Sequence, residues 1–118
     1  MMLLCYPKCT TCKKARQWLD GHGFSYTYRN IMIDKPSYEE LREWHAKTKL
    51  PLRRFFNTSG RRYKELGLKD TLLSMNEHEQ LSLLSTDGML VKRPILVDKD
   101  VVIVGFKQDE WAKHYRNP

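Results

Sequence analysis

A chain of 118 residues, 41% hydrophobic and 30% charged, can bury a core without disulfide staples and is too apolar to stay disordered. No apolar run approaches a membrane span, and the opening MMLL lacks the regions of a signal peptide, so a cytoplasmic protein with no membrane attachment is expected. The formal net charge of +7 invites an anionic partner, but the cations are dispersed without a recognition-helix or zinc-finger pattern, which argues against direct DNA binding.

The first element is MLLCY, short, apolar and bounded by Pro7, a buried strand. A helix follows from Thr10 or Thr11 to about His22. Cys12, Ala15, Trp18 and Leu19 form its inner stripe, a threonine is its expected N-cap, and Gly21 and Gly23 end it. SYTYRNIMI, rich in aromatic and β-branched residues, reads as a second strand, parallel to the first through a right-handed crossover. Ser37 and Glu40 form a capping box that opens the helix in KPSYEELREWHAK.

Residues 51–86 read as short helical pieces, with apolar faces at Phe55 and Phe56, at Tyr63, Leu66 and Leu68, and at Leu72, Leu73 and Met75. Asn76 with Glu79 is a second cap signal. PILVDKDVVIVGF is a hairpin turning around Asp98, Lys99 and Asp100, and QDEWAKHY closes the chain as a helix. This order predicts a single α/β domain over residues 1–118: a thioredoxin-like (glutaredoxin-like) mixed sheet with a helical insertion.

The chemistry concentrates in YPKCTTCKKAR. Cys9 stands just before the first helix and Cys12 in its first turn. Unpaired N–H groups and the helix dipole favour a thiolate at Cys9, which makes it the candidate nucleophile. Lys8, Thr10, Thr11 and Arg16 are candidates to steady that thiolate or to bind substrate. Cys12, one turn on and more buried, is placed to resolve a mixed disulfide on Cys9.

Two inert core cysteines are the plainer alternative. Zinc would need four ligands; there is no second C-x-x-C, and His22, His45, His78 and His114 are scattered, so no metal is expected. Cys5, inside the first strand, reads as a small buried hydrophobe. Arg93, ahead of Pro94, is either a cation for the thiolate or an oxyanion, or a surface arginine preceding a strand.

YPKCTTCKKARQWL, FFNTSGRRYKELGL, DGMLVKRPILVD and VGF together resemble the arsenate reductase-like family, which includes the Spx/MgsR regulators; the likeness is nearest to its YusI/YffB-type members. The resemblance spans essentially the whole chain. It implies a catalytic-position cysteine at Cys9 and a cis Arg93–Pro94 bond lying against the cysteines. It also implies three arginines around the oxyanion in the glutaredoxin-linked reductases. Arg93 matches one, whereas Asn57 and the neighbourhood of Gly105 stand where the other two are expected, and Arg53, Arg54 and Lys107 are the available substitutes. The reductases usually lack a cysteine at the position of Cys12.

The leading expectation is therefore a thiol-disulfide oxidoreductase or redox-sensing protein, using Cys9, Cys12, Arg93 and Pro94. It would hold no bound cofactor, take glutathione or a redoxin as electron donor, and act as a monomer. The alternatives are a redox-switched regulator that binds the C-terminal domain of the RNA polymerase α subunit, as the resemblance to Spx implies, and a glutaredoxin-linked arsenate reductase.

Overall fold

The computed structural model describes residues 1–99 and 101–115. A four-stranded sheet runs in the order β2-β1-β3-β4, with β1 at Met2–Cys5, β2 at Thr27–Asn30, β3 at Ile95–Asp98 and β4 at Val101–Val104. β1 pairs parallel with β2 and antiparallel with β3, and β3 pairs antiparallel with β4. The mixed thioredoxin-like sheet expected from the sequence is present. Asp100, expected in the β3–β4 turn, lies outside the described residues.

Alternation along the strands sends neighbouring side chains to opposite faces. Leu3, Cys5 and Leu96 turn to one face, where helix α1 (Thr10–Gly21) and helix α6 (Gln108–His114) pack through Cys12, Ala15, Leu19, Trp18 and Trp111. Trp18 meets Trp111 edge-on at 5.7 Å between ring centroids. Leu4 and Ile95 turn to the other face, against Leu41 and Trp44 of helix α2 (Tyr38–Thr48) and against the inserted segment. That segment holds the short helices α3 (Arg61–Glu65), α4 (Leu68–Thr71) and α5 (Glu77–Leu84), with 3-10 turns between and around them. No described helix is long and apolar enough to cross a membrane.

The local signals act as physics requires. Ser37 with Glu40 and Asn76 with Glu79 both form complete capping boxes. Glu40 also takes both ends of the Arg29 guanidinium, at 2.7 and 2.9 Å, which ties β2 to α2. That bond to Arg29 is the main reason the Glu40 carboxyl is held below the usual carboxylate range.

Two boundaries differ from expectation. The second strand stops at Asn30, and Ile31–Ile33 leave the sheet in a turn. The Asn30 side-chain oxygen accepts the N–H groups of Met32 and Ile33 at 3.0 and 3.3 Å, competing with the ladder that the β-branched pattern suggests. The N-cap of α1 is Cys9 and not a threonine, because the extended backbone that precedes a helix falls at Cys9. Downstream, Gly23 takes a φ of +75°, and the N–H of Phe24 returns to the Leu19 carbonyl at 3.0 Å.

The insertion is sewn to the loop before β3 by backbone. Phe56 bridges Val91, Asn57 N–H donates to Leu90 O at 2.7 Å, and Lys92 N–H donates to Phe55 O at 2.7 Å. Gly88 lies so near the Ile31 carbonyl that a β-carbon there would collide with it. These contacts fix Asn57 and the Arg93–Pro94 loop beside the end of β1 that leads to the cysteines.

Candidate functional site

The chain leaves β1 at Cys5, turns through residues 6–8, and enters α1 with Cys9 as the cap. Cys9 Sγ accepts the Cys12 N–H at 3.4 Å, in the place usually taken by a serine or aspartate oxygen. A thiolate there meets the positive end of a 12-residue helix whose first turn carries no acidic residue. Cys9 is half-buried and Cys12 is covered, 1% exposed. Contact with the Cys5 thiol, followed by burial, pushes the Cys12 thiol well above its ordinary range, although the backbone of Tyr6 and the Cys9 sulfur pull the other way. All three cysteines are free. The pair is thus asymmetric: one reachable sulfur at a helix start, one covered sulfur that keeps its proton.

β1 pairs with β3 from Met2–Val97 to Leu4–Ile95, so Arg93 and Pro94 immediately precede β3 at the end of β1 that leads on to Tyr6. The Arg93–Pro94 peptide bond is cis and Pro94 is buried. Among the described residues, no hydrogen bond joins Arg93 to the Cys9 sulfur. Its guanidinium lies over the Tyr6 ring, 5.1 Å from the centroid, and donates to Met89 O at 3.5 Å.

Arg93 lines a cavity of about 540 Å³ with Tyr6, Asn57, Gly60, Arg61, Arg62, Glu65, Asp87 and Met89. Arg62 takes both acids of this cavity, Glu65 and Asp87, at 3.1 Å each. Arg61 and Arg93 are left as its cations without a carboxylate partner among the described residues. Two such guanidinium groups can hold a carboxylate or an oxyanion.

The remaining candidates divide. Asn57 lines this cavity, its carbonyl accepts the Gly60 N–H at 3.1 Å, and its side chain packs so close to Gly60 that a β-carbon there would come within 2.6 Å of its nitrogen. Lys8, Thr10 and Thr11 are exposed around Cys9. Arg16 points away from Cys9: it covers the Tyr28 ring at 4.7 Å and lines a second cavity with Cys5, Cys12 and Lys13. Arg53 and Arg54, the suggested substitute anchors, line a separate cavity with Lys69 and Lys92 and do not join Arg93. Gly105 takes a φ of +83°, which disfavours an arginine there, and its N–H donates to Pro94 O at 2.7 Å. Tyr6 and Arg61 were not singled out by sequence reasoning. The spacing from Arg61 to Arg93 carries no local periodicity, and only the backbone pairing of residues 55–57 with 90–92 brings them together.

The model of the ArsC family matches residues 4–114. The chain belongs to the ArsC family. This ArsC-family chain is 49% identical over 110 residues to Bacillus subtilis YusI, covering 93% of each chain. It is 32% identical to the regulatory protein MgsR of Bacillus subtilis, over 92% of this chain and 84% of the relative. Among solved structures, a protein of Streptococcus mutans described as a possible arsenate reductase matches with a TM-score of 0.86 and 37% identity, over 93% of this chain and 95% of that one. The relatives of this ArsC-family chain therefore include both a protein described as a possible arsenate reductase and one named a regulatory protein.

Proposed function

We propose that the protein is a thiol-disulfide oxidoreductase in which Cys9 attacks and Cys12 resolves. The observation that carries this reading is the asymmetry of the pair: a half-exposed Cys9 sulfur capping α1, with a covered, protonated Cys12 one turn behind it. Cys9 thiolate attacks one sulfur of a substrate disulfide. A bond forms between Cys9 and that sulfur, the substrate S–S bond breaks, and the other sulfur leaves as a thiolate that takes up a proton. Cys12 then loses its proton as it attacks Cys9 Sγ, closing the Cys9–Cys12 bond and releasing the second substrate thiolate. The substrate is reduced by two electrons and the protein is oxidised by two. Glutathione or a dithiol redoxin returns them.

Arg93 and Arg61 supply the recognition chemistry: a carboxylate next to the substrate disulfide, as in glutathione or an acidic peptide. The test is thiol transfer from a glutathionylated peptide, followed alongside arsenate-dependent turnover with glutathione and glutaredoxin. Cys9→Ser should reduce thiol transfer to the uncatalysed background, and Cys12→Ser should trap a mixed disulfide on Cys9. Full activity in Cys9→Ser would end the assignment, and arsenate turnover without disulfide exchange would move the chain to the reductase reading.

A second reading is favoured by the likeness to MgsR: a module whose binding to the RNA polymerase α subunit switches with the state of Cys9 and Cys12. Pull-down with the α C-terminal domain, in oxidising and in reducing buffer, checks it. No capture in either buffer sinks it.

A further inference from the structure

Cys5 packs beside another thiol. It is fully buried on the α1 face of the sheet, beside Cys12 in the same apolar cluster. The Cys5 thiol is the main cause that pushes the Cys12 thiol above its ordinary range. The two cysteines also share the lining of a cavity of about 210 Å³, whose other walls are Tyr6, Pro7, Lys13, Arg16 and Tyr28. Cys9 is absent from those walls. Cys12 thus stands between two thiols: Cys9 toward the helix start and the solvent, Cys5 toward the sheet and this second cavity.

We propose that Cys12 exchanges its disulfide partner, and that the oxidised protein passes from a Cys9–Cys12 bond to an internal Cys5–Cys12 bond. The step rests on the oxidoreductase reading of Cys9 and Cys12 above. Cys5 loses its proton to water in the second cavity and its sulfur attacks Cys12 Sγ. The Cys5–Cys12 bond forms, the Cys9–Cys12 bond breaks, and Cys9 leaves as a thiolate in its capped position. Nothing is oxidised or reduced overall; one disulfide replaces another. Cys9 regains its nucleophile while the oxidising equivalent rests where both sulfurs are at most 1% exposed, out of reach of thiols in solution. The chain would then hold two distinct oxidised states, one open to reductant and one closed to it.

Trypsin separates these states. It cuts after Lys8 and Lys13, so Cys5 falls in the peptide 1–8, and Cys9 and Cys12 together in the peptide 9–13. The natural chain is equilibrated with excess oxidised glutathione, quenched in acid, alkylated and digested. A Cys9–Cys12 bond stays inside peptide 9–13, whereas a Cys5–Cys12 bond joins peptides 1–8 and 9–13. The expected product is the joined pair, with fragmentation placing the bond on Cys12. A bond on Cys9 overturns the proposal. Cys9→Ser treated with diamide, a small uncharged oxidant that accepts two electrons and two protons from two thiols, should give the same joined pair. No joined peptide in either protein overturns the proposal even if the Cys9–Cys12 bond forms normally. A joined pair in Cys9→Ser, with no Cys9 chemistry in the natural chain, would sink the oxidoreductase reading and leave the Cys5–Cys12 pair standing.

Discussion

The two faces of the sheet divide the labour. The α1–α6 face buries Cys5 and Cys12 among Trp18, Leu19 and Trp111, and leaves Cys9 at its rim. The α2–insertion face buries no cysteine; it carries Leu41, Trp44, Phe55, Phe56 and Leu81, and the insertion brings Asn57 and Arg61, the first residue of α3, into one cavity with Arg93. On the proposed reading, reactive sulfur would come from one face and cationic recognition from the other. They meet at Tyr6, where the chain leaves β1 and the Arg93 guanidinium covers the ring. The difference teaches that the cysteines and the unpaired cations of the cavity are placed by separate parts of the sequence, so each set is open to change without the other.

The strongest way to break the comparison is to hollow out the face that holds the sulfurs. Trp111 is fully buried against Trp18 and Phe106, so Trp111→Ala should lower stability by about 3–5 kcal/mol, read from urea unfolding. Next is recognition alone. Arg93→Ala and Arg61→Ala should each raise KM for an anionic disulfide about tenfold, as expected for one lost charge-assisted contact, with a much smaller effect on an uncharged disulfide. Equal loss on both substrates would merge the two roles that the faces are said to separate.

The pH response sharpens the comparison on the sulfur side. The Cys12 thiol titrates higher in the folded chain than in the unfolded one. The unfolded chain therefore loses its proton first, above a pH of about 8.5, while the folded chain keeps it. Stability from this group is complete below that pH and falls as pH rises, by up to about 1.4 kcal/mol per pH unit. Cys12→Ala should flatten that alkaline slope, as followed by denaturant midpoints across the range. The smallest effect belongs to the other face: Ser37→Ala removes an exposed cap of α2 and should cost about 1 kcal/mol, with thiol transfer unchanged.

Much of the framework is legible in the chain itself. The apolar stripe of α1, both capping boxes, the parallel β1–β2 pair and the β3–β4 hairpin follow from short-range periodicity and side-chain chemistry. Asn30 shows one limit, since its amide competes with the sheet in a way that strand propensity does not record. Arg53 and Arg54 show another. The 3-10 turn Leu52–Phe55 buries Leu52 and Phe55 and leaves both arginines outward, so these charges line a different cavity from Arg93. At the site, the C-x-x-C and the Arg93–Pro94 pair were readable as candidates. That Cys12 packs in one cluster with Cys5, and that Arg61 and Arg93 line one cavity, depends on how α1 packs on the sheet and on the pairing of residues 55–57 with 90–92. Such long-range contacts leave no local signature.

The single bond from the Cys12 amide to the Cys9 sulfur makes one proton a built-in gauge. An amide hydrogen aimed at a thiolate is deshielded, and one aimed at an alkylated or bridged sulfur is less so. The Cys12 amide resonance in a two-dimensional NMR spectrum therefore reads the charge on Cys9 directly, without a label or an added reagent. Titrating the sample while watching that peak would report the ionisation of Cys9 inside the intact fold.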